Sequence, residues 1–238
     1  MKLISKHIFP FKKIFDSQYS DNSLEVAALL TASGGFLDAF TYMGHGKVFA
    51  NSMTGNIVFI GVYSVTGDWQ RVLNLIPPII AFLVGVFLAH KMRQPHNRKY
   101  LTSPALTCLF YEVVLLIIAS FLPTSFPEWI LVPSIALVAA MQNSGFTRIE
   151  NWTYNSVMTT GNLRRFAEAF YQATLPGAYN KESMREAKTF AFICFCFFAG
   201  VVMGALMTVR LHNFALWMPI LLLSIAFVIC KKREKKLQ

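Results

Sequence analysis

The stretch Ser52-Met53-Thr54-Gly55-Asn56 returns 106 positions later, with substitutions, as Met158-Thr159-Thr160-Gly161-Asn162. In each copy small polar residues lead into an apolar or amphipathic run, which is how a helix start reads. Both starts nevertheless fall inside sequence that otherwise reads as membrane. That conflict points to two broken helices inside an internally repeated bundle.

Composition fixes the class. Hydrophobic residues make up 55% of the 238 and charged residues 14%, whereas a soluble domain carries about 25% charged residues. Mean hydropathy is +0.47, so the chain reads as an all-α integral membrane protein in contact with a lipid bilayer. The net charge of +10 does not indicate nucleic acid, because a nucleic-acid binder gathers its cations on one exposed face. Here the cations lie between apolar runs, where cytoplasmic loops need them. Cys108, Cys194, Cys196 and Cys230 all fall within or at the end of apolar segments and read as small packing residues. His7, His45, His90, His96 and His212 are scattered. Neither they nor the cysteines show metal-ligand spacing, and no cofactor motif is present.

Spans are expected at about 23–43, 72–90, 103–122, 128–146, 190–209 and 212–230, each long enough to cross about 30 Å of hydrocarbon. A basic leader, residues 1–22 with Lys2, Lys6, Lys12 and Lys13, precedes them, and a basic tail, 231–238, follows. Two pieces remain, about 53–66 and 158–173, which reach only about 21–24 Å at 1.5 Å per residue. If they do not cross and both termini are cytoplasmic, all but Lys47, Arg71 and Arg210 of the 22 Lys and Arg residues lie inside. If both crossed, the basic run 91–99 would move outside and the bias would collapse. The expectation is therefore six transmembrane helices plus two re-entrant helices in a bacterial inner membrane. An odd number of spans per half makes the halves, about 23–122 and 128–230, inverted three-span repeats. A second internal match, Ala81 to Ala89 against Cys196 to Gly204, belongs to the same repeat. Inverted repeats are a transporter and channel architecture with the site at their interface.

Chemistry concentrates at few positions. Non-helical backbone ahead of Thr54 and Thr160 is tolerable in a bilayer only if buried in protein or lining a wet cavity. A cap hydroxyl satisfies a free N–H, glycine admits a close neighbour, and asparagine donates and accepts. Two such starts facing each other would draw an anion or a carbonyl-bearing solute to their positive dipole ends. The alternative is that Thr54, Gly55, Asn56, Thr160, Gly161 and Asn162 simply let helices pack closely. Asp38 lies within a span, where an acid is a functional hypothesis. It reads either as a coupling carboxylate or as a structural partner for Arg148 or for backbone N–H groups, and the 106-residue shift sets it opposite neutral Ser144. Glu112 is the second intramembrane acid. Gln142, Asn143 and Ser144 either line the same cavity or make interhelical hydrogen bonds. Gly200-x-x-x-Gly204 admits a homo-oligomer face, with packing inside the chain favoured. Trp69, Trp129, Trp152 and Trp217 read as interface anchors.

Gly34-Gly-Phe-Leu-Asp38-Ala-Phe, Val48-Phe-Ala-Asn-Ser-Met-Thr-Gly-Asn56, Gln142-Asn-Ser and Thr159-Thr-Gly-Asn162 resemble the YoaK-type family of bacterial membrane proteins over nearly the whole chain, about 24–230. The resemblance implies a multi-pass inner-membrane protein. It attaches no catalytic role to Asp38, Gln142, Asn143 or either Thr-Gly-Asn element.

Function is then expected to be that of a small transporter or channel for a small polar or anionic solute, bound at the paired Thr-Gly-Asn starts, with Asp38 and Glu112 coupling protons. A scaffold or regulatory subunit is the alternative. An intramembrane enzyme is disfavoured, since no nucleophile–base pair or nucleotide motif is visible.

Overall fold

A computed structural model describes residues 22–94, 103–175 and 180–237. The basic leader and the 95–102 part of the basic run lie outside these residues. The elements in order are α1 (Leu24–Gly44), α2 (Met53–Thr66), α3 (Trp69–Met92), α4 (Pro104–Ser120), α5 (Glu128–Gly145), a two-residue hairpin of β1 (Arg148–Ile149) and β2 (Trp152–Thr153), α6 (Thr159–Thr174), α7 (Lys181–Leu211), a 3-10 turn (His212–Leu216) and α8 (Trp217–Leu237). Their starts follow the sequence. The Ser23 hydroxyl accepts from the Val26 N–H, Ser103 with Pro104 opens α4, and the Asn180 side chain accepts from Glu182 and Ser183, all common N-terminal signals.

Among the described residues three stretches are long and apolar enough to cross a membrane: Leu24–Gly44, Trp69–Met92 and the helical run Lys181–Lys235, which joins α7 to α8. Four adjustments to the expected spans follow. With 17 residues, α4 is shorter than the 19 to 21 read from hydropathy, because Pro104 starts it and it unwinds after Ser120. The 18 residues of α5 also fall just short of that length. Helix α7 begins at Lys181 rather than near 190, its first turns being polar and so silent in hydropathy. The basic tail is not a separate segment, since α8 runs on through Leu237.

Burial is arranged as a bilayer demands. Phe87, Phe195 and Phe198 are 63–68% exposed, while Asp38 and Glu112 are 3% and 1% exposed. Large apolar side chains face outward and the acids face inward, the reverse of a water-soluble domain. The two helices that open each half are the interior ones: α1 is buried continuously from Ser33 to Thr41, and α5 from Val138 to Gln142. Their neighbours are exchanged between halves. Helix α7 packs along α1 and α3 packs along α5, while α8 packs on α1 and α4 on α5. Each opening helix is thus covered by later helices of the other half.

Glycine makes these crossings close. A Cβ at Gly200 would overlap the Ala32 carbonyl of α1, and one at Gly204 would lie 2.6 Å from the Phe36 carbonyl oxygen. Gly35 meets the Phe197 carbonyl in the same way, and Gly85 of α3 meets the Leu137 carbonyl of α5. Gly200 and Gly204 are therefore used inside the chain, as the favoured reading had it. Gly85 and Gly200, aligned with each other in the second internal sequence match, stand at the α3–α5 and α7–α1 crossings.

Helix ends gather in two groups. In one, His45 Nε2 lies 3.1 Å from Asn213 Oδ1, whose amide donates to the Leu122 carbonyl at 2.9 Å. Glu128 stands beside Gly46, and Asn74 of α3 joins His45 and Glu128 around one small pocket. In the other group, the Glu150 N–H donates to the Asn22 carbonyl, Arg93 donates to the Ser144 carbonyl, Arg185 pairs with Glu150 and Arg233 with Glu25.

Candidate functional site

The chain ahead of each short helix is held by the same device. Asn56 is fully buried; its Oδ1 accepts from the Phe49 N–H at 3.0 Å, and its Nδ2 donates to the Phe49 carbonyl at 2.8 Å. Asn162, 2% exposed, does the same to Asn155, at 3.3 Å and 2.7 Å. Residues 49 and 155 are themselves one repeat apart. Each asparagine thus closes a seven-residue loop by mimicking a strand partner, which satisfies backbone groups that no bilayer would.

Two further N–H groups approach each helix start, and here the halves differ. In the first, Asp38 Oδ1 accepts from the Asn51 N–H at 2.7 Å and the Ser52 N–H at 3.4 Å, while Oδ2 accepts from the Ser52 hydroxyl at 2.5 Å. In the second, Asn155 Oδ1 accepts from the Val157 N–H at 3.0 Å and the Met158 N–H at 2.8 Å. Positions 51 and 52 correspond to 157 and 158. The same backbone pair is held by a carboxylate reaching across from α1 in one half and by a neutral amide inside the loop in the other. Ser144, opposite Asp38 in the repeat, instead returns its hydroxyl to its own Ala140 carbonyl.

The expected hydroxyl caps do not form. The cap residues are Ser52 and Met158, neither with a side-chain cap bond. Thr54 and Thr160 sit in the first turn and are exposed. Gly55 lies under the Phe49 ring, 3.0 Å from where a Cβ would stand, whereas a Cβ at Gly161 would meet nothing within 4 Å. The difference follows from residue 49 being Phe and residue 155 Asn. Phe49, Tyr42 and Phe59 in turn form a three-ring cluster, with every pair of centroids 4.9–6.3 Å apart.

The two short helices do not pack extensively on one another; each lies along the third helix of its own half, α2 on α3 and α6 on α7. Their preceding loops converge on one turn of α1. Asn51 Nδ2 donates to the Gly34 carbonyl at 3.3 Å, and the Ser156 carbonyl lies where a Gly34 Cβ would be, at 2.8 Å. The Ser156 hydroxyl donates to Asn143 Oδ1 at 3.2 Å, bringing α5 into the same layer. Gln142 is buried with its Nε2 unpartnered among the described residues, as are Asn51 Oδ1, Thr31 Oγ1, Ser33 Oγ and Glu112 Oε2. Glu112 stands apart from this layer in sequence, on α4 between Leu109 and Leu116 of the main apolar core.

Sequence reasoning thus named Asp38, Asn56, Asn143 and Asn162, quoted Asn51 and Ser52 within motifs without giving them a role, and missed Asn155 and Ser156. The 106-residue alignment held the missing signal, since it sets Phe49 opposite Asn155, a polar residue gained in one copy. Outside the spans, burial lowers the His45 imidazole pKa, with Glu128 and the Asn213 contact acting the other way. No group of three or more His, Cys, Asp or Glu among the described residues could hold a metal ion.

Buried acids and amides inside a lipid-facing shell of helices define an integral membrane protein. Residues 26–229 match the family model described as "Protein of unknown function (DUF1275)", and the chain belongs to that family. It is similar to the UPF0700 transmembrane protein YoaK of Bacillus subtilis (strain 168), at 25% identity over 201 residues, covering 82% of this chain and 88% of that protein. No solved structure matches the chain.

Proposed function

We propose that this protein is a small transporter or channel for a small polar or anionic solute, built of six spans and two re-entrant helices as inverted three-span repeats. The exchanged packing of opening and third helices supports the repeat. The two groups of helix ends support six alternating crossings, because each of the six long helices puts one end in each group or beside it. Trp69, Trp129 and Trp217 all stand at helix starts in the group that holds His45, and are 46–66% exposed, as anchors at one membrane face would be.

The observation that carries function is the unlike pair of restraints at Asp38 and Asn155. Only the first half is held by a group that can take up a proton. A protonated Asp38 accepts fewer hydrogen bonds, which loosens the loop at Asn51 and Ser52 and leaves the second half unchanged. That is how a proton would bias one repeat against the other. Solute contact falls to the groups that the loops leave open, Thr54, Thr160 and Gly161, and to the Gln142 and Asn51 amides. The Asn56 and Asn162 amides are already committed to backbone. Glu112 is a second coupling candidate.

The test is a thermal-shift screen of the detergent-purified chain against small anions, polyols, amino acids and nucleobases across pH, followed by vesicle uptake of each hit. A ligand that binds only the folded state raises its melting temperature. Asp38→Asn is expected to keep solute binding and lose the pH dependence of uptake. A screen with no hit, or uptake whose pH dependence survives Asp38→Asn, overturns the proposal.

A further inference from the structure

A cleft of about 500 Å³ opens between the start of α1, the β1–β2 hairpin and the first turns of α7, with Leu24, Glu150, Met184 and three cations on its walls. The cations are Lys181, Arg185 and Lys188. Their spacing of four and three residues places all three on one face of α7. Arg185 is committed: it pairs with Glu150 at 2.6 Å. Glu150 is fixed in turn, since its N–H donates to the Asn22 carbonyl at 2.6 Å and it turns the hairpin at φ 51. Lys181 and Lys188 have no ion pair among the described residues. Glu186, next to Arg185 on α7, is taken by Arg165 at 2.8 Å, and Glu25, next to Leu24, by Arg233 at 3.2 Å. The cleft therefore has three cations against one carboxylate, apolar Leu24 and Met184 beside them, and the positive end of α7 at its mouth.

We infer that this cleft binds a phosphate-bearing anion, the headgroup of an anionic phospholipid, with Lys181 and Lys188 as its ligands. The chemistry is that of basic pockets beside membrane helices, where two ammonium groups meet a phosphodiester and neighbouring apolar side chains meet the glycerol and upper acyl carbons. Leu24 begins a membrane-length helix, so the cleft lies at the level where headgroups sit. The inference needs no transported solute. The six-span reading bears only on which leaflet supplies the lipid.

The test uses the full chain in a non-ionic detergent, delipidated, with melting followed as phosphatidylglycerol, phosphatidylcholine or inorganic phosphate is titrated. Phosphatidylglycerol is expected to stabilise at concentrations at least about tenfold below phosphatidylcholine. Each lysine near an anionic surface contributes about a fivefold effect, so Lys181→Gln with Lys188→Gln should raise the phosphatidylglycerol requirement about 30-fold. Lys181→Arg with Lys188→Arg should restore the preference, and Lys231→Gln with Lys232→Gln on α8 should leave it intact. Stabilisation by inorganic phosphate alone, lost with the two lysines, would keep the anion site and make free phosphate its source. Equal response to the two lipids, or a preference that survives loss of both lysines, overturns the site.

Discussion

Gly200→Ala tests the crossing of α7 on α1. A Cβ there would stand 2.8 Å from the Ala32 carbonyl carbon and 3.0 Å from Ala32 Cα. Carbon atoms rest about 3.5–4.0 Å apart, so α7 must retreat by about 0.7 Å or more. The neighbouring contacts, Gly35 on Phe197 and Gly204 on Phe36, lie on the same seam and must open with it. Overpacking of this kind costs about 1–3 kcal/mol, and alanine's better helix propensity returns at most about 1 kcal/mol. For a chain of this size, each kcal/mol moves the melting temperature by about 2–4 °C. The clash is with the Ala32 backbone, which cannot rotate away, so the cost lies at the upper end, the net loss is about 1–2 kcal/mol, and the detergent-purified variant should melt about 2–8 °C below the parent. Gly161→Ala is the internal control, because nothing lies within 4 Å of its Cβ; it should melt at or slightly above the parent. A Gly200→Ala protein as stable as the parent, with Gly161→Ala the weaker of the two, would refute the close crossing and the exchange of helices built on it.

Two further predictions follow from the loops and the topology. Asp38→Ala and Asn155→Ala each strand two backbone N–H groups; a buried one such as that of Asn51 costs about 1–3 kcal/mol, whereas Met158 is 42% exposed, so both should lower the melting temperature, Asp38→Ala more than Asn155→Ala, and Asp38→Asn should lower it less than Asp38→Ala. In a background with the four cysteines replaced, Asp68→Cys should label from outside and Glu182→Cys from inside with an impermeant maleimide. Labelling of both from one side would show that α6, which lies between the two positions, crosses the membrane, and labelling of Asp68→Cys from inside would show that α2 does.

The cap prediction also shows where sequence reading stopped. The 106-residue repeat identified Asn56 and Asn162 as equivalent, and the structure gives both the same clasp. It could not tell what the clasp closes on, because Phe49 and Asn155 share no chemistry, only a backbone. The role of Asp38 was open between coupling and structure for a related reason: its ligands, Asn51 and Ser52, come from a loop 13 and 14 residues later whose path the pattern does not fix. Gly161 kept its place in the motif while losing the aromatic ring that explains Gly55, so motif identity alone gave one reason for two different surroundings.

Sequence by itself determined the class, most of the helices and the equivalence of Asn56 and Asn162. Apolar composition, cap residues and recurring motifs are local properties that need no partner to be read. Tertiary structure decided which faces meet: that α1 is covered by α7 and α8 and α5 by α3 and α4, that Gly200 and Gly204 are spent on α1, and that two unlike side chains restrain matching loops. Those outcomes depend on carbonyls and N–H groups brought together from distant parts of the chain, and backbone atoms carry no sequence signature. In a lipid-facing protein apolar side chains mark both the core and the outer surface, so hydropathy finds the spans but cannot orient them.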